Sequence, residues 1–435
     1  VDCSDAPKLP GVADDLPQLL AAHASDVGSS VGLSIQRTTD QYVRRWSDAF
    51  HQICAATWDE GTQSEALLDA RMACLAGLRS DYEATLEALD PAEPTTTAMA
   101  LESLDGLADP IDCTTRPAAS DASASEDPAL RHDLARARAL RRIGKYDVAR
   151  PAILRVVDAA PDPSALLADA LLEQAAIDVQ AEGPTSSTAT LERAARAAHE
   201  IGRVDLEARA WLSLAFVAAE RGGDPEQGRA YWHHARTSVE LAGTPRDRVR
   251  LLNIEGLLAR MEGDLDRSEA TWSRALAAAE GLEPAEPALV ATLLTNLANV
   301  AADRGDASRA RALRERALDL RLRVLGPAHP DVALSHMNLG LDSVHEGRDQ
   351  EALQHFDAVI EVAEQAVGLD APGLARAYLP RADVLLRIGE RDRARADLER
   401  ALELATEGGR DELAERARIA LLELESDSGE GAVSP

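Results

Sequence analysis

Glycine recurs through the last two thirds of this chain at a nearly constant interval. Gly144, Gly183, Gly223, Gly263, Gly305, Gly347 and Gly389 are spaced by 39, 40, 40, 42, 42 and 42 residues, and each closes a stretch with helical apolar periodicity. Five residues after each glycine stands Ala149, Thr188, Gly228, Ser268, Ala310, Ala352 or Ala394. Twelve after stands Ala195, Ala235, Ala275, Ala317 or Ala401, with Val156 and Val359 as exceptions. Seven before stand Ala137, Ala176, Gly256, Ala298, Gly340 and Ala382. Phe216 breaks that last column, and one residue inserted at Gly222-Gly223 accounts for it. Small residues at fixed offsets let two antiparallel helices meet closely, and the glycine supplies the left-handed turn between them. Neither helix of such a unit can bury its apolar face alone, so units stack. The sequence therefore predicts an all-α superhelical solenoid of seven hairpins over residues 129–410. A capping helix over 411–424 and a disordered tail over 425–435 complete it.

The front of the chain reads differently. In TTDQYVRRWSDAFHQICAATW (38–58), Tyr42, Trp46, Phe50, Ile53 and Cys54 share one helical stripe. After a polar turn, Asp59 to Ser64, a second helix buries Leu67, Leu68, Met72, Leu75 and Leu78, and two helices so joined pack antiparallel. All four cysteines, Cys3, Cys54, Cys74 and Cys113, lie in this part. An even number confined to one module points to disulfides, and no CxxC or CxxH pair offers a compact metal set. Cys54 lies five residues before the turn and Cys74 ten after it, a mismatch of about 7 Å along the axis. The expected pairs are Cys54–Cys74 and, by elimination, Cys3–Cys113; four free thiols are the alternative. Residues 1–113 thus read as a small helical module, and the Pro-, Ser- and Asp-rich residues 114–128 as a mobile linker.

Composition narrows the interior and the partners. Hydrophobic residues make up 45% of the chain but aromatics only 3%, so the core is built mainly from Ala and Leu. A formal net charge of −29 argues against nucleic acid or an anionic membrane surface as partner. No apolar run approaches the ~20 residues that span a bilayer, so this segment inserts into no membrane directly. The opening Val1-Asp2-Cys3-Ser4-Asp5 has neither an initiating methionine nor a signal peptide pattern, and the chain reads as part of a longer one. Catalytic patterns are missing: there is no G-x-S-x-G and no Walker sequence. His233 and His234 are adjacent, whereas His336, His345 and His355 are nine and ten apart, which builds no metal site. RARALRERALDLRLR (309–323) reads as an exposed face laced by i,i+4 ion pairs. The expectation is a binding scaffold without catalytic residue, metal or cofactor.

The repeats TLLTNLANVAADRGDASRARALRERALDLRLRVLGPAHPDVA (292–333) and SHMNLGLDSVHEGRDQEALQHFDAVIEVAEQAVG (335–368) resemble the 42-residue tetratricopeptide (TPR) variant of kinesin light chains. The likeness rests on NLA or NLG in the first helix, the G-x-x-x-x-A turn and the LGPAHPDVA connection. HQICAATWDEGTQSEALLDARMACLAGLRSDYEAT (51–85) and RARALRRIGKYDVAR (136–150) resemble the region after the transmembrane helix in myxobacterial-type serine/threonine protein kinases. No Gly-rich phosphate loop, HRD-like loop or DFG occurs here. That resemblance implies an extracytoplasmic (periplasmic or cell-surface) sensor region of a membrane-anchored bacterial kinase. A free-standing, cytoplasmic scaffold for multiprotein assembly is the alternative.

A TPR solenoid normally binds a protein or peptide ligand on its concave side, lined by the first helix of each hairpin. Counting back from the loop glycines gives Arg250, Asn253, Leu257 and Arg260 in one unit. Thr292, Thr295 and Asn299 follow, then Met337 and Leu341, then Arg376, Leu379 and Asp383. The kinesin light chain resemblance puts a peptide-holding amide at Asn253, which Thr295 and Met337 replace in the following units. Arg250, Arg260 and Arg376 give this face a basic element that suits a carboxylate-bearing ligand.

Overall fold

The computed structural model describes residue 9 and residues 28–88, 103–104, 106–115, 127–181, 187–220, 224–282, 286–325, 327, 329–366 and 374–429. Among these residues every regular element is a helix, and the fold is an all-α tetratricopeptide-type solenoid. The chain divides into two compact units, Val1–Glu286 and Pro287–Pro435.

The first unit begins with α1 (Gly28–Trp58), α2 (Glu65–Ala88) and the short α3 (Asp112–Thr115). Four hairpins follow: α4 (Pro128–Arg142) with α5 (Tyr146–Ala159), α6 (Ala165–Ala181) with α7 (Thr188–Glu200), α8 (Val204–Glu220) with α9 (Pro225–Ala242), and α10 (Pro245–Met261) with α11 (Leu265–Glu280). The second unit holds α12 (Pro287–Asp303) with α13 (Ala307–Leu325), α14 (Pro330–His345) with α15 (Asp349–Ala366), α16 (Ala375–Arg387) with α17 (Arg391–Glu407), and the final α18 (Asp411–Gly429). That last helix passes the expected end at Leu424, since no glycine or proline interrupts it before Gly429. Of the expected tail, residues 430–435 lie outside the described residues.

Two adjacent residues make each of the sharpest turns. Gly263 adopts φ +79°, a left-handed conformation that closes α10. Its N–H donates to Arg260 O at 3.0 Å, and the next N–H, of Asp264, donates to Ala259 O at 2.9 Å. The Asp264 carboxylate then accepts from the Arg267 N–H at 3.0 Å and caps α11. Gly305-Asp306 repeats the device, with Arg309 N–H to Asp306 at 3.1 Å.

Packing within a hairpin sets a small residue of the first helix under a large one of the second. Sixteen residues after Ala137, Gly256, Gly340 and Ala382 stand Ile153, Trp272, Phe356 and Leu398, all buried. In α6 and α8 the buried small residues are Ala175 and Ala215, while Ala176 and Phe216 are only partly buried. The one-residue shift therefore affects two hairpins and not one. Ser187, not Thr188, is the buried small residue at the start of α7. Gly183, Gly222 and Gly223 lie outside the described residues. Leu191, sixteen residues after Ala175, and Trp232, seventeen after Ala215, are both buried.

The front of the chain corrects the expected disulfides. Trp46 Nε1 donates to Leu75 O at 3.0 Å and the Tyr42 hydroxyl to Leu78 O at 3.1 Å. These bonds fix the α1–α2 register and place Cys74 level with the Trp46 turn, about 11 Å along the axis from Cys54. Cys74 instead pairs with Cys113 of α3, with a Cα–Cα distance of 5.8 Å. Neither Cys54–Cys74 nor Cys3–Cys113 forms. Cys54 is also disulfide-bonded, to a partner outside the described residues, and Cys3 lies outside them as well. Residues 116–126 of the expected linker are likewise outside. α2 packs directly on α4, and one buried cluster joins Leu75 and Tyr82 to Leu134, Ala137 and Leu140.

The small–large pairing predicts the effect of one added methyl group. A Cβ on Gly256 would stand 2.6 Å from Trp272 Nε1, and one on Gly340 2.7 Å from Phe356 Cε1. Gly256→Ala and Gly340→Ala should each destabilise the protein by about 1–3 kcal/mol through overpacking, read by urea denaturation followed by circular dichroism. Phe356→Leu should restore part of the Gly340→Ala loss. A Gly340→Ala protein as stable as the parent would rule out the wedge.

Candidate binding surface

Taking the buried small residue of each first helix as origin, the residues expected on the binding face fall into columns. Six residues before it stand Arg250 in the first unit and Thr292 and Arg376 in the second. Three before stand Asn253, then Thr295, Met337 and Leu379; one after stand Leu257, then Asn299, Leu341 and Asp383; four after stands Arg260. Leu341, Arg376 and Asp383 are exposed, and most others are half-buried. Leu379, at 4% exposure, belongs to the core of the second unit with Leu385 and Leu398.

Several of these polar groups are engaged inside their own unit. The Asn253 side-chain oxygen accepts from Trp272 Nε1 at 2.9 Å, beside the backbone oxygen of the same residue at 3.0 Å. The Asn299 oxygen accepts from Arg314 Nη2 at 3.0 Å. The Thr295 hydroxyl donates to Ala291 O at 3.0 Å and accepts from Arg321 Nη1 at 3.3 Å, and the Thr292 hydroxyl donates to Ala288 O at 3.1 Å. Asn253 and Asn299 thus orient the large residue of the second helix, the same job in two chemistries.

α13 departs from its expected exposed face. Arg311–Glu315 and Arg323–Asp319 form the anticipated i,i+4 pairs, at 2.8 and 2.9 Å. Arg314 and Arg321 are buried instead. Arg314 occupies the large-residue place over Ala298 and pairs with Asp342 as well as Asn299. Arg321 donates to Ser335 Oγ at 2.7 Å. A buried guanidinium persists only with such partners. The sequence also missed a histidine pair: His336 Nδ1 and His355 Nδ1 are 3.0 Å apart, on α14 and α15. Burial first, then the neighbouring His355, pushes His336 down to about 4. Among the described residues no group of three or more His, Cys, Asp or Glu is placed to hold a metal, and no helix is long and apolar enough to cross a membrane.

The first unit carries a line of alternating charge across its first helices. Arg138 of α4 contacts Asp81 of α2 at 3.2 Å and Asp169 of α6 at 2.9 Å, with Glu173 at 3.6 Å. Arg209 of α8 contacts Asp169 from the other side at 3.1 Å, and Arg141 pairs with Glu173. Burial alone would raise the Asp169 carboxyl, but Arg138 and Arg209 outweigh it and hold it well below the usual carboxylate range. Arg138 is raised in turn: burial works against its charge, and Asp169, Asp81 and Glu173 prevail. Sequence spacing hinted at this line only through the 40-residue step from Asp169 to Arg209.

Residues 290–331 and 332–407 each match the family described as Tetratricopeptide repeat. Residues 290–407 are tetratricopeptide repeats. No curated protein sequence matches the chain. Among solved structures, a Rap protein complexed with competence and sporulation factor is similar at 14% identity and TM-score 0.50, over 83% of this chain and 99% of that one. A signal transduction ATPase with a tetratricopeptide repeat sensor from Pyrococcus horikoshii is 11% identical, with TM-score 0.48, over 95% of this chain and 69% of that one. The "kinesin light chain nearly identical TPR-like repeats" of Podosopora anserina show 15% identity and TM-score 0.32, over 57% of this chain and 99% of that one. At these identities the likeness is one of fold. Tetratricopeptide repeats imply a protein-interaction scaffold.

The shared carboxylate gives a pH-dependent prediction. Its lowered folded-state pKa means that Asp169 contributes stability above the ordinary carboxylate range, near pH 4, and loses it as pH falls through the folded value. Asp169→Asn should cost about 1–3 kcal/mol at pH 7 and show a shallower loss of thermal midpoint between roughly pH 5 and pH 2 than the parent. Parallel acid profiles for the two proteins would contradict the assignment.

Proposed function

We propose that this chain is a non-catalytic scaffold that binds a protein or peptide segment along the faces of its first helices. The observation that carries this reading lies on α14. Leu334 and Leu341, two turns apart on one face, are 52% and 37% exposed, while their column neighbours on α16, Arg376 and Asp383, are exposed and charged. Apolar side chains of this size at solvent, flanked by charge, fit the anchor-and-rim composition of a binding surface. The test is a peptide array probed with the full chain. Leu334→Glu with Leu341→Glu should reduce binding to the selected peptides by about tenfold or more, with the helical spectrum unchanged. An unchanged array pattern would remove α14 from the site.

We further propose that the chain serves as the extracytoplasmic sensor part of a bacterial transmembrane serine/threonine kinase. Support comes from the likeness of residues 51–85 and 136–150 to that region of such kinases, and from cysteines paired in the front of the chain, as proteins of oxidising compartments have them. Protein isolated from its native cells and alkylated without reduction should show no added mass at any of the four cysteines. Four labelled thiols would instead favour the cytoplasmic scaffold.

A further inference from the structure

Along the first helices, the place two residues after the buried small one is closed to solvent. Ile177, Val217, Leu258, Val300 and Val384 hold it in α6, α8, α10, α12 and α16, and all are buried. Taking Ala417 as the buried small residue of α18 puts Ile419 in that place. Ile419 is nevertheless 47% exposed, and Leu422, three residues on, 60%. Ala414, Ala417 and Leu424 join the core of the second unit with Leu398 and Leu404 of α17. The opposite side of α18 is an apolar stripe that stands in water.

The charges around the stripe say what fits it. Glu412, Glu415, Ile419 and Leu422 follow at steps of three, four and three, the spacing of a seam between two paired helices. Arg416 and Glu423 flank this seam on one side, Arg418 and Glu425 on the other, and all of these residues are exposed. Each flank thus carries a basic residue seven positions before an acidic one. A two-fold axis between residues 420 and 421 maps such a face onto its own complement. Ile419 meets Leu422 of the second copy, Arg416 meets Glu423, and Arg418 meets Glu425, each contact occurring twice. The members of each ion pair differ in height by two residues, about 3 Å, which Arg and Glu side chains span. Parallel helices would stack Glu412 and Glu415 on their own copies, whereas antiparallel ones keep these carboxylates at opposite ends. Bonds already present compete weakly. Arg418 pairs with Glu415 at 53% and 56% exposure, and Arg395 stands 3.9 Å from Glu425, beyond hydrogen-bonding reach.

We infer that α18 is a self-association surface, through which two copies of this chain pair antiparallel about a two-fold axis at residues 420 and 421. The pairing uses no residue of the peptide-binding face proposed above, so the two readings stand or fall separately. One helix from each copy makes an interface at the small, transient end of the size range, with a dissociation constant of roughly 10–100 μM.

Sedimentation equilibrium of the full chain, carried up to about 300 μM, tests this. The parent should approach twice the monomer mass. Ile419→Glu should weaken association by about tenfold or more, with the helical spectrum unchanged. Arg416→Glu and Glu423→Arg each set like charges across the axis, so each alone should weaken it by about fivefold or more. An equimolar mixture of those two variants should regain the parent's association, because each copy then offers the charge that the other lacks. A parent that stays monomeric throughout would overturn the inference and leave the stripe to a different partner, and a dimer indifferent to Ile419→Glu would overturn it too. Charge variants that associate like the parent, or a mixture no better associated than either variant alone, would refute the two-fold pairing and the inference with it.

Discussion

Everything in the repeats depends on a large side chain of each second helix seated over a small residue of the first. Trp272 over Gly256 is the tightest instance, and its indole N–H is held by both oxygens of Asn253. The pairing fixes the distance between the two helices, their rotation and the phase of the next turn. It also decides what the opposite side of the first helix can offer a ligand, because the column facing away is set once the small residue is placed. Removing such a wedge leaves a void of aromatic size, a loss of about 3–5 kcal/mol in well-packed cores. Arg314 shows that the place need not be apolar, provided that Asn299 and Asp342 answer its charge.

The fold was legible because its determinants are local and periodic. Gly263, Gly305, Gly347 and Gly389 close first helices at positive φ, where the spacing put them. Ala298, Gly340 and Ala382 are buried at the offset read from those glycines. In the α6–α7 hairpin the buried places fall one residue earlier relative to Gly183, at Ala175 and Ser187 and not at Ala176 and Thr188. The cysteine pairs were not legible, because the α1–α2 register is set by Trp46 and Tyr42 hydrogen bonds that turn length does not encode.

The binding face was legible by column but not by availability. Counting back from a glycine finds Asn253, Thr295 and Asn299, yet it is silent on the Trp272, Arg321 and Arg314 side chains that engage them. Leu379 has the right phase and is covered by its own core. Asp81, Arg138, Asp169 and Arg209 are illegible for the converse reason: their contacts join separate helices 31 to 57 residues apart in sequence, a range that no helical period reaches. His336 and His355 lie nineteen residues apart in sequence, yet α14 and α15 bring them side by side.

The bridge between Cys74 and Cys113 has a topological meaning of its own. The bond spans a sequence separation of 39 residues, so this stretch is a closed ring, and the ring holds the route from α2 toward the hairpins. A single backbone cut between those cysteines opens the ring without parting the molecule. Covalent continuity between α2 and everything after α3 is thus carried by two independent paths, one of peptide bonds and one of sulfur.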